Sequence, residues 1–184
     1  MLKACLLAAL CAAGLASAMP VAPAFAAADA QAGLSAADQD KVGALQMQVE
    51  DLIVAHAGDP EALKAAIEAL ATGAGVDPAL AGKAIIAALT HPKGEAARRA
   101  LADHPVLKTA AGEGLGAAIA SIATDRPGLA TAMQADVAAC GDMALASSVA
   151  TGAQSATASV RHQHLWQQAR LPKDSTPETP ASAN

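Results

Sequence analysis

The sequence predicts an all-α protein, a compact helical bundle or a short stack of about three α-hairpins, with a flexible C-terminal tail. Three observations carry this. Apolar residues recur at intervals of three and four, β-branched alternation is missing, and proline falls where one apolar period ends and the next begins. Alanine supplies about three residues in ten, which favours thin, closely approaching helices.

The first 26 residues have the parts of a secretion signal. Lys3 is the only charge before Asp29, an apolar run follows from Ala4 to Leu15, and small residues come next. The run is too short to span a bilayer. Of two A-x-A sites, Ala24-Phe25-Ala26 is the expected cleavage point, because Pro20 and Pro23 break the apolar helix just before it. Residues 27–34 then form a flexible lead.

The helical domain is expected over residues 35–152. Ser35-Ala36-Ala37-Asp38 resembles a capping box with Asp in the Glu position. Val42, Leu45, Val49, Leu52 and Ile53 follow at helical spacing, with Asp40, Lys41, Gln48 and Glu50 opposite, and Ala57-Gly58 supplies a stop. Prolines 60, 78, 92, 105 and 127 open further helices near 60–72, 78–90, 92–102, 105–123 and 127–139, and a last one runs near 142–152. Leu63, Ile67 and Leu70 form one stripe; Leu115, Ile119 and Ile122 form a second; Leu129, Met133 and Val137 form a third. Pro60, Pro92 and Pro127 lie 32 and 35 residues apart, a weak hairpin period. Residues 153–171 are polar, with Trp166 set among them, and 172–184 have the composition of a disordered end.

Several functions are disfavoured by composition. Without the signal the net charge moves from −5 to −6, and the few basic residues are scattered, so nucleic acid is not an expected partner. Trp166 is the sole aromatic after Phe25, which leaves nothing from which to build a stacking groove. Cys5 and Cys11 leave with the signal, and Cys140 is either buried or bridged to another molecule.

Chemistry-bearing motifs are sparse. There is no G-x-S-x-G elbow, no H-E-x-x-H and no phosphate loop after a strand, so neither a catalytic residue nor a cofactor is expected. His162 and His164 are weak metal candidates that converge only on an extended segment. His91 and His104 sit before prolines in expected turns, and Glu50-Asp51 read as a solvated face.

Gly112, Gly116 and Ala120 repeat every four residues, a spacing that suits a close helix crossing inside the domain or a membrane-associated helix over 106–123. The domain crossing is the favoured reading. Trp166 is read first as an anchor folded back on the domain with Val160 and Leu165, and otherwise as the centre of a partner-binding segment with Arg161 and Arg170 at its rim. The reading these features favour is an exported, non-enzymatic helical protein, periplasmic or secreted, that binds another protein or serves as a scaffold. An envelope-associated protein and a histidine-based metal or enzymatic module are the alternatives.

Overall fold

The computed structural model describes residues 34–169. Residues 1–33, which include the expected signal and most of the expected lead, and those from Arg170 onward lie outside them. Among the described residues there are seven helices and no strand. They are α1 (Ala36–Ala55), α2 (Pro60–Thr72), α3 (Pro78–Thr90), α4 (Glu95–Asp103), α5 (Val106–Asp125), α6 (Pro127–Ala139) and α7 (Met143–Ala169).

The helix starts follow local chemistry. Ser35 caps α1 by accepting the Asp38 N–H at 3.2 Å, and its hydroxyl donates to the Asp38 carboxylate at 2.7 Å. Asp59 and Asp77 cap α2 and α3 in the same way, each followed by a proline at the first helical position, where a missing N–H costs nothing. Asp142 caps α7 through the Leu145 N–H at 3.0 Å. Gly141, at a φ of 71°, closes the turn before it, a backbone conformation that favours glycine.

The helix expected from Pro92 begins later, at Glu95. Residues 92–94 stay non-helical because the carboxylate of Glu50 accepts the N–H groups of Lys93 at 2.8 Å and Gly94 at 2.7 Å. This also corrects the sequence reading of Glu50 as solvated: it is 6% exposed. Buried Gln46 steadies it, donating to both the Glu50 carboxylate and the His91 carbonyl.

The arrangement is a bundle around α5. That helix is buried on nearly every side, as one hydrophobic all round must be. Its most extensive packing is with α7 and α2, while α1 packs on α3. The neighbours that a hairpin stack would pair, such as α6 with α7, touch only lightly. The core consists of aliphatic side chains, with Ile53, Leu63, Ile67, Ile85, Leu115 and Ile119 fully enclosed.

The α5–α7 crossing depends on absent side chains. A Cβ on Gly116 would run into the Val149 carbonyl and come within 2.8 Å of the Ala153 nitrogen. One on Gly152 would strike the Glu113 carbonyl. The two helices run parallel, with α6 as the return. Their first turns are tied by the Lys108–Asp142 ion pair.

Candidate functional site

Of the segment singled out by sequence, residues 160–171, the part from 160 to 169 falls on the distal part of α7. The body covers α7 as far as Gly152; beyond it Ala153 and Ala156 are half-buried, and residues 157–162 are all exposed. Val160 is 53% exposed, an apolar side chain standing in water. Helical hydrogen bonding continues to Ala169 without a break, so Trp166 lies about 20 Å further along the axis than Gly152. The segment therefore leaves the body as an arm, and it does not turn back as a loop. Arg161 is exposed on it, Trp166 occupies a helical position, and Arg170 lies outside the described residues.

The arm also differs in charge from the body. Between residues 34 and 153 there are fourteen Asp and Glu against eight Lys and Arg. From Met143 to Lys173 there is no acidic residue, while Arg161, Arg170, His162 and His164 are all present. Thr157 and Ser159 hydroxyls on the arm donate to the carbonyls of Ala153 and Ser155, so these polar groups are satisfied within the helix.

The histidines are placed apart. His162 and His164 both lie in helix, where residues two apart stand about 200° around the axis, so the extended geometry that would converge them is not the one adopted. His91 and His104 follow the last turns of α3 and α4, each donating its backbone N–H into the helix it ends. His91 Nδ1 lies 2.9 Å from the Thr90 hydroxyl. No group of three or more metal-capable side chains is assembled among the described residues.

The chain matches no protein-family model, no curated protein and no solved structure.

The Gly/Ala face of α5 is turned inward. Gly112 and Gly116 meet α7, and Gly114 meets α2 at the Lys64 carbonyl and Ile67. No helix among the described residues is long and apolar enough to cross a membrane. Cys140, at the end of α6, is half-buried and its thiol donates to the Val137 carbonyl at 2.9 Å.

The sequence missed one polar constellation, Gln46, Glu50 and the turn before α4. The residues that complete it are more than 40 positions apart. The only local signal was Lys93-Gly94 after a proline, which marks a turn without saying what fills it.

Proposed function

We propose that this is an exported, non-enzymatic helical protein whose distal α7 arm binds another protein. The observation that carries the proposal is the arm itself, a helix that outruns its body while bearing exposed Val160 and Arg161 and leading to Trp166. A solvated helix of this length gains little from propensity alone, and Trp and Arg are the residues that anchor protein interfaces. Export is supported by the signal-like first 26 residues, and mature protein is expected to begin at or close to Ala27. N-terminal sequencing of protein recovered from envelope or medium checks this; stable exported protein beginning at Met1 would refute it.

Site-specific photocrosslinking tests the arm. A photoreactive side chain at position 160 is expected to capture a defined protein, and one at Asp103, exposed on the body, is not. Equal labelling from both positions would sink the assignment.

A further inference from the structure

A second surface on the molecule complements the arm. On α1, Ala37, Asp40, Ala44, Met47, Asp51 and Val54 are exposed, and their spacing is three, four, three, four, three. That spacing places them in one continuous seam along the helix. Met47 is 60% exposed, the largest apolar side chain on this face. Asp40 and Asp51 lie on the same face, and neither has an ion-pair partner among the described residues. A groove of about 340 Å³ runs alongside, walled by Asp38, Lys41, Ala44 and Gln48 of α1 and by Val76 and Asp77 of the turn before α3; Lys41 there is paired with Asp38 at 3.2 Å.

The lengths and charges agree. From Ala37 to Val54 the seam covers about 26 Å, and from Gln154 to Ala169 the arm covers about 23 Å at the same rise per residue. The face offers two unpaired carboxylates; the arm offers Arg161 with no acidic residue near it in sequence. Within one molecule α1 packs against α2, α3 and α4, whereas α7 packs against α5 and α6 and runs on away from the body. The arm is thus not the cover of its own α1.

We propose that the protein self-associates by laying the basic α7 arm of one copy along the acidic outer face of α1 in another. The inference rests on the arm being a binding element and names its partner. Reciprocal exchange of arms closes a dimer, and one-way docking builds a longer chain of copies. Opposite charge brings the helices together, while Met47 and Val160 supply exposed apolar surface to bury.

Sedimentation velocity of the mature protein at concentrations up to about 200 µM in about 50 mM salt tests this. A dimer or larger species is expected, weakened about tenfold by Arg161→Glu and equally by Asp40→Arg/Asp51→Arg. Combining the reversals is expected to restore association, because the arm is then acidic and the face basic. All these positions are exposed, so the variants keep the wild-type circular dichroism spectrum. A monomer throughout the range, or association that survives both single-sided reversals, overturns the proposal. A monomer whose position 160 still crosslinks to a different protein leaves the arm as a binding element and removes only the second copy as its partner.

Discussion

Glu50 is the residue whose role departs most from its appearance in the sequence. A carboxylate beside Asp51 on a helix is ordinarily a solvated charge. Here one partner, Asp51, is exposed and the other is enclosed, receiving the two N–H groups that precede α4. A carboxylate accepting backbone N–H groups at a helix start favours both the unpaired donors and the positive end of the helix. Glu50→Gln keeps the shape but turns one acceptor into a donor facing an N–H. It is expected to cost about 1–3 kcal/mol in denaturant unfolding, with amide exchange quickening first at Lys93 and Gly94. Gly94→Ala probes the same contact from the other side, since its new Cβ would lie 2.8 Å from the Glu50 carboxylate. Unchanged stability in both variants would show that the clasp contributes nothing.

At the level of elements, legibility tracked how local the deciding chemistry was. The Asp-Pro pairs before α2 and α3 are complete start signals within two residues, and both helices begin at the proline. The start of α4 was not legible because its determinant, Glu50, comes from α1. The far end of α7 was not legible either, since a Ser, Thr and Gln composition suits a loop as well as a solvated helix. The glycine spacing in α5 was readable as a close crossing; what the sequence lacked was the partner, α7, and the matching Gly152. That crossing carries a prediction. Gly116→Ala places a methyl against the Val149 carbonyl, and backbone cannot rotate aside as a side chain can. A loss of about 3 kcal/mol is expected, at the upper end for overpacking, whereas Gly128→Ala, with open space around it, is expected to be near neutral. The ordinary core position Ile67, with no exposed surface, is expected to lose about 2–4 kcal/mol on Ile67→Ala. Thermal unfolding of the three variants side by side ranks them, and a neutral Gly116→Ala would deny the tight crossing.

At the scale of the whole fold, aliphatic burial is supplemented, among the described residues, by three ion pairs that join different helices. Lys64 meets Glu113 at 2.8 Å, Lys83 meets Asp136 at 2.9 Å, and Lys108 meets Asp142. Each links an early helix to a later one, so together they span the bundle from α2 to α7. Their pH limits follow from the groups themselves. The Lys108 ammonium, and then the Leu145 N–H, hold the Asp142 carboxyl below its ordinary value. A depressed folded value means a contribution fully present above the unfolded value, near 4, and lost as pH falls through the folded one. The Glu113 carboxylate acts oppositely on Lys64, raising it above its usual value of 10.5. That contribution is complete below the unfolded value and is lost as pH rises through the raised one. Stability set by these two pairs is therefore level between about pH 5 and 10 and declines on both sides. Asp142→Asn isolates the acid side, because an amide oxygen still accepts the Leu145 N–H while the charge and the acceptor that met Lys108 are gone. The variant is expected to unfold at lower temperature than wild type at pH 7, and the gap is expected to narrow as pH falls from about 4 through the depressed value of the folded carboxylate, where the wild-type group is itself neutralised. A gap that stays constant from pH 7 to pH 2 would mean that Asp142 acts solely as a cap and that its pairing with Lys108 adds no stability.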